Sequence, residues 1–354
     1  MSIWRFVGHF APEVPERHRL SLGEGGTPCL PSRTIGPAAG LARLFFKLES
    51  VNPSGSYKDR FAALAVSHMR ARGQDTCLAT SSGNTGAALA AYCAAARIRC
   101  RIAVVETAPL AKLQQMLAYG AEIERVAGFG TDAGVTRTVM ERLAERAARE
   151  NGALHISAYH WSPLGMEGVE SLAFELAEQI PAGTGHVFCP AGGGGLTLAV
   201  ARGGKKIGWD WSTHCVQPEG NNTIAGPLRE GGEKAREVTC TSTISGLQVA
   251  TVIDGDETLA ASRESGGTGH LVSDAQVYEA QRRLAREEGI FSEPAGAVAL
   301  AGLLQAAERG EINPAQPVVC LVTGSGFKDT PSLERMTASA DCPTVSLDDL
   351  FTRR

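Results

Sequence analysis

Thr76-Cys77-Leu78-Ala79-Thr80-Ser81-Ser82-Gly83-Asn84-Thr85-Gly86 runs on into Ala87-Ala88-Leu89-Ala90-Ala91-Tyr92-Cys93 and, beyond Arg97, into Arg99-Cys100-Arg101-Ile102-Ala103-Val104-Val105-Glu106. A short apolar run closed by a hydroxyl- and glycine-rich turn, then a longer alanine-rich run and a second short apolar run, spells strand, turn, helix, strand. The pattern predicts a strand over 76–80, a helix over 85–97 and a strand over 99–106.

The same alternation extends in both directions. Toward the C-terminus it predicts helix 109–119, strand 122–127, helix 131–150, strand 153–157 and helix 165–179. Strand 186–190, helix 196–201, strand 212–217, helices 274–288 and 293–309 and strand 318–323 follow. Toward the N-terminus, strand 44–49 precedes a helix opened by Lys58, in which Phe61, Leu64, Ala65 and Met69 keep an amphipathic i, i+3, i+4 rhythm to about Gly73. Strands alternating with helices mean parallel sheets. A chain of 354 residues exceeds what one growing core holds, so the expected fold class is α/β with two open, mostly parallel twisted sheets flanked by helices. The stretch 226–273, broken by Gly231-Gly232 and Gly266-Gly267, reads as loops over a site.

Composition narrows the ligand. The formal charge is −4 and no basic cluster exceeds Lys205-Lys206, so neither nucleic acid nor an anionic membrane is an expected partner. The apolar stretch 87–96 is too short to cross a bilayer and no secretory signal opens the chain, which points to a cytoplasmic location. Nine cysteines without CxxC spacing read as free thiols. Eight scattered histidines without HxxxH spacing, and Asp254-Gly255-Asp256-Glu257 without the spacing of a calcium loop, leave no metal expected; the latter reads as a solvated turn. Forty-one glycines without a collagen-like period favour close backbone approach to a small molecule.

Four stretches carry candidate chemistry. Asn52-Pro53-Ser54-Gly55-Ser56-Tyr57-Lys58-Asp59-Arg60 puts an amine at a helix start, where the dipole disfavours its charged form and favours a nucleophile. By itself an exposed lysine beside Asp59 explains the stretch as well. Thr80 to Gly86 offers hydroxyls and free N–H groups to a carboxylate, although Ser82 or Asn84 also suits an ordinary helix cap. Gly192-Gly193-Gly194-Gly195 between strand and helix lets backbone amides approach a phosphate, and it matches neither a Walker A loop nor a dinucleotide GxGxxG. Thr323-Gly324-Ser325-Gly326 ends a Val/Leu-rich strand, where a hydroxyl would face a ligand at the carboxyl edge of the sheet.

In this order the four stretches resemble the fold-type II pyridoxal-phosphate enzymes, and within them the threonine synthases. The likeness runs from about Leu22 to Asp329 and takes in Leu22-Gly23-Glu24-Gly25-Gly26-Thr27-Pro28 and Glu288-Gly289-Ile290-Phe291-Ser292-Glu293-Pro294-Ala295. It implies a tryptophan synthase β-like fold, with residues 1–51 and 156–354 as a large cofactor-binding domain and 52–155 as a small mobile one. It also implies pyridoxal 5′-phosphate held by Lys58 as a Schiff base, Asn84 on its phenolic oxygen, Gly192, Gly193, Gly194 and Gly195 on its phosphate, and Thr323 at its ring nitrogen. Lys58 would then take the α-proton, while Ser82, Gly83, Asn84 and Thr85 would hold a small amino-acid substrate.

The function implied is elimination or replacement of a side-chain leaving group. Alternatives are β-elimination or β-replacement on serine, phosphoserine or threonine derivatives, and a non-catalytic cofactor-binding regulator. Homodimers are frequent in the family. Threonine synthases commonly carry Asn-Ser-x-Asn-Pro-aromatic-Arg where this chain has Ser157-Ala158-Tyr159-His160-Trp161-Ser162-Pro163-Leu164. Leucine cannot grip a phosphate as arginine does, which leaves the substrate open and makes His160 a candidate in its place.

Overall fold

The computed structural model describes residues 2–180 and 183–352. Its strands are β1 (Cys29–Pro31), β2 (Leu44–Leu48), β3 (Thr76–Ala79), β4 (Arg99–Val105), β5 (Glu122–Val126), β6 (Gly152–Leu154), β7 (Gly185–Pro190), β8 (Trp211–Pro218), β9 (Gly269–Val272) and β10 (Val318–Val322). They form a six-stranded sheet in the order β1-β2-β10-β7-β8-β9 and a four-stranded sheet in the order β5-β4-β3-β6. Only β1 runs antiparallel to its neighbour; the other pairs are parallel. Parallel strands need helices on both faces, and β10, Val-Val-Cys-Leu-Val, is buried at every position as that requires.

One apolar cluster links the sheets. It contains Cys77 and Ala79 of β3, Val187 and Cys189 of β7, Val319 and Leu321 of β10, and side chains of the helices Lys58–Ala71 and Pro163–Gln179. Because the first of these helices lies inside that cluster, it is not the half-exposed element its rhythm predicted. Phe61, Leu64, Ala65 and Met69 are buried, but so are Asp59, Arg60, Ser67 and His68.

Arg60 is fully buried and needs full compensation. Its Nε and Nη2 pair with Glu49 at 2.7 and 2.8 Å, and its Nη1 and Nη2 pair with Glu175 at 2.8 Å each. Lys47 Nζ completes the set, 2.7 Å from Glu175 Oε2. Burial pushes the Glu49 carboxyl upward, but the Arg60 guanidinium outweighs it and holds the group below its ordinary range. The network clamps the helix that begins at Lys58 to β2 and to the helix Pro163–Gln179.

Three further expectations need correction. The stretch 226–273 is not all loop: the helix Gly255–Glu264 and β9 lie within it, both short and flanked by glycines that broke their periodicity. Asp254 does not sit on a solvated turn. It is 2% exposed, and its carboxylate accepts the N–H groups of Tyr159 and His160 at 2.8 and 3.0 Å. Strand 153–157 also stops early, at Leu154, because the chain turns there into the cavity wall.

Candidate active site

In a parallel sheet the strand ends point their following loops the same way, and ligands collect outside the carboxyl edge. Residues following β3, β6, β7 and β10 enclose a cavity of about 490 Å³ here. Small-molecule sites fall at roughly 300–1,000 Å³. Lys58, Ser82, Gly83, Asn84, Thr85, Gly192, Gly193, Gly194, Gly195 and Thr323 all line it. His160 does not: its ring is exposed and packs edge-on to Trp161 at 5.0 Å, while its backbone is tied to Asp254.

Lys58 opens the helix Lys58–Ala71, and its half-buried side chain reaches back across the cavity. Nζ donates to Ser157 Oγ at 2.5 Å and lies 4.5 Å from the Tyr57 ring centroid. Burial lowers its pKa from 10.5 to about 7, with Asp254 and Glu293 pulling in the other direction. A neutral amine is therefore well populated near pH 7, which is what attack on an aldehyde or removal of a proton requires.

Gly194 caps the helix Gly195–Lys206 with φ +96°, a backbone conformation that excludes most side chains, and a Cβ there would lie 2.3 Å from Thr258 Oγ1. Among the described residues the N–H groups of Gly192, Gly193 and Gly194 meet no acceptor. Together with the free amides of the helix's first turn they form a cradle for an anion. A phosphate fits such a cradle, and an aldehyde fits the amine of Lys58; the donor set suits a cofactor carrying both.

On the opposite wall, the helix Asn84–Ala96 begins behind Gly83, and neither Ser82 nor Asn84 caps it. The Asn84 amide instead donates to Glu293 Oε1 at 2.7 Å. Glu293 is 6% exposed, and burial raises its pKa to about 7, the Asn84 bond opposing the shift. Thr323 is buried at the end of β10, and its carbonyl accepts the N–H of Tyr57 at 3.0 Å, so the lysine-bearing turn is stitched to the strand. His155 also lines the cavity; burial lowers its pKa to about 4 and keeps its ring neutral.

Sequence reading assigned no role to Ser157, Asp254, Glu293 or Lys112, which all line the cavity. Lys112 Nζ donates to Ser245 Oγ at 2.6 Å across it. Ser157, Asp254 and Glu293 fell within stretches singled out for other reasons, and Lys112 is one polar position of an ordinary amphipathic helix.

Residues 20–324 match the family described as pyridoxal-phosphate dependent enzyme. The chain is 30% identical over 341 residues to a threonine synthase of Methanocaldococcus jannaschii, covering 93% of this chain and 81% of that one. It is 31% identical over 335 residues to a threonine synthase of Halalkalibacterium halodurans, covering 93% and 91%. Among solved structures it resembles a T.th. threonine deaminase, at 26% identity, TM-score 0.74 and coverage of 92% of this chain and 98% of that one. The fold is also shared with maize serine racemase, at 24% identity and TM-score 0.75, covering 95% and 96%.

Proposed function

Because this chain belongs to the pyridoxal-phosphate dependent enzyme family, we propose that it is a threonine synthase-like lyase that removes or replaces a side-chain leaving group of a small amino acid. Its fold is that of the fold-type II enzymes and its cofactor is pyridoxal 5′-phosphate. The observation that carries the proposal is the amine of Lys58, brought to a pKa of about 7 in a cavity that also presents an anion cradle.

When bound, the cofactor supplies an electron sink for negative charge at the substrate's α-carbon. The amides of Gly192 to Gly195 hold its phosphate, and Lys58 is its covalent anchor. Thr323 would offer a neutral hydroxyl to the ring nitrogen, and the Asn84 amide, bonded to Glu293 at 2.7 Å, would serve the phenolic oxygen. Ser82, Gly83 and Thr85, at the start of the helix Asn84–Ala96, receive the substrate carboxylate through N–H and hydroxyl groups, the Gly83 N–H giving up its 3.2 Å bond to Ser81 Oγ to do so. The Lys58 amine would accept the α-proton, oriented by the Ser157 hydroxyl that it contacts at 2.5 Å. Lys112 and Ser245 then face the side chain whose substituent departs.

A second reading is favoured by Leu164, which is half-buried and does not reach the cavity wall, so no arginine of that segment meets a substrate phosphate. On it the enzyme eliminates or replaces a β-substituent of serine, phosphoserine or threonine. Supplying phosphohomoserine and measuring threonine and phosphate, beside ammonia release from the β-substituted amino acids, separates the two. Lys58→Ala abolishes both products and leaves the cofactor removable by dialysis. Retention of a covalently bound visible chromophore in that variant would overturn the assignment of Lys58.

A further inference from the structure

Cys77 and Cys100 are register partners on the adjacent parallel strands β3 and β4, so their side chains leave the same face of the four-stranded sheet. Cys93 comes down onto that face from the helix Asn84–Ala96. The three sulfurs all lie within 4.8 Å of one another, and the residues are 0%, 6% and 0% exposed for Cys77, Cys100 and Cys93. All three are free thiols. The three thiols hydrogen-bond one another, and Cys77 Sγ also makes a weak contact to the Leu78 carbonyl at 4.0 Å. None of the three lines the cavity around Lys58.

Among the described residues no histidine or carboxylate joins this group. Hard cations, which need oxygen ligands, are poorly served, and so is tetrahedral zinc, which lacks a fourth ligand. Soft ions that accept three thiolates remain. Charge chooses among them, since an uncompensated charge in an apolar core is costly. Three thiolates around a monovalent ion carry −2, around a divalent ion −1, and around a trivalent one zero.

We propose that Cys77, Cys93 and Cys100 form a binding site for a trivalent thiophile of the arsenite class. Three thiols condense with trihydroxyarsenic: three As–O bonds break, three As–S bonds form, and each thiol proton leaves with a hydroxide as water. No electron is transferred and no net charge is buried. Bonding contracts the sulfur triangle, which draws the helix Asn84–Ala96 toward β3. Both elements lead to the Thr80–Asn84 wall of the cavity, so occupancy lowers enzymatic turnover as well.

The test exposes the reduced holoenzyme to arsenite alone, in buffer freed of other metals, and weighs it by native mass spectrometry. The expected result is a gain of one arsenic less three hydrogens, with protection of these three cysteines from alkylation on peptide mapping. Cys93→Ala and Cys100→Ser each lose that uptake, whereas Cys342→Ala, at an exposed site, keeps it. Circular dichroism and retention of the cofactor check that the variants are folded. Absence of uptake by the wild type, protection of other cysteines, or undiminished uptake in either cluster variant overturns the proposal.

Discussion

An ε-amine ordinarily stays charged well past neutrality, and at Lys58 burial wins over the attraction of Asp254 and Glu293 to bring its pKa to about 7. In the apoprotein, uptake of the cofactor therefore accelerates as pH rises through 7 and levels off above it, which stopped-flow absorbance after mixing checks. A rate still climbing steeply at pH 9 would mean an unshifted lysine. Stability has a related signature. Between pH 7 and 10.5 the unfolded chain holds a proton that folded Lys58 has released, so this group's contribution to apoprotein stability rises over that window. Glu293, raised from 4.5 to about 7, gives the opposite slope: its contribution is present below 4.5 and is lost as pH rises to 7. Denaturant midpoints of the apoprotein across pH 4 to 10 show the minimum these two terms produce together, and Glu293→Gln removes its acid-side limb. Beside them, Gly324 admits no side chain: a Cβ would lie 2.0 Å from Glu293 Oε1 and 3.3 Å from Asn84 Nδ2. Gly324→Ala is expected to push Glu293 and Asn84 out of place, so that the Asn84 amide no longer reaches the cofactor, and to cut turnover by about tenfold or more, the loss of one well-placed hydrogen bond to a charged group. Lys58, Asn84 and Thr323 were legible in the sequence because each stands in a local context of turn or strand end. Glu293 and Asp254 were not, since a carboxylate's burial depends on residues more than ninety positions away, Tyr159 and His160 for Asp254 and Asn84 for Glu293.

Local pattern specified most elements, because strand and helix periods survive wherever one residue type dominates, as in β10 or the alanine-rich helix Asn84–Ala96. It specified less well how each element is surrounded. The rhythm of the helix Lys58–Ala71 hid the burial of its polar positions, and Arg60 is the clearest case: its carboxylate partners come from the turn after β2 and from a helix residue 115 positions on. Periodicity carries no information about such partners. Replacing Arg60 by Met leaves Glu49 and Glu175 buried with only Lys47 as counter-charge, which is expected to cost about 3–5 kcal/mol. A urea titration measures it directly, and a loss below about 1 kcal/mol, the range of solvated pairs, would show that water reaches the network. Since this helix also carries Lys58, the variant should lose cofactor more readily as well as unfold earlier.

At the scale of the molecule, the two sheets face a common cavity but are joined through one apolar cluster, and the helix Lys58–Ala71 is held there by its ion network. Of the small mobile domain expected over 52–155, we propose that the helix Lys58–Ala71 stays with the rest of the molecule, so that a unit of β3 to β6 and their helices would swing while Lys58 stays fixed. Side-chain hydrogen bonds that cross from that unit to the rest include Lys112 to Ser245 at 2.6 Å, Gln115 Nε2 to the Ser54 carbonyl at 2.9 Å, Lys328 Nζ to Gln115 Oε1 at 2.7 Å, Asn84 to Glu293 at 2.7 Å and the Tyr92 hydroxyl to Glu24 at 2.8 Å. Of these, the Lys112 bond spans the cavity itself, so a substrate side chain entering between the helix Leu110–Ala118 and the 245–249 loop must displace or share it. An anionic substituent profits from that exchange, because it gains a charge-assisted bond to an ammonium already half-desolvated, whereas a neutral one gives up a bond and gains a weaker partner. Lys112→Met should then lower kcat/KM for phosphorylated amino acids by about 1.5–3 kcal/mol, roughly ten- to a hundredfold. Turnover of serine or threonine should change little or improve, as the latch no longer competes. Equal losses on both substrate classes would instead make Lys112 a closure element that does not read charge. The split in kcat/KM thus tests, through one side chain, both the class of leaving group and the way the two halves of the cavity come together.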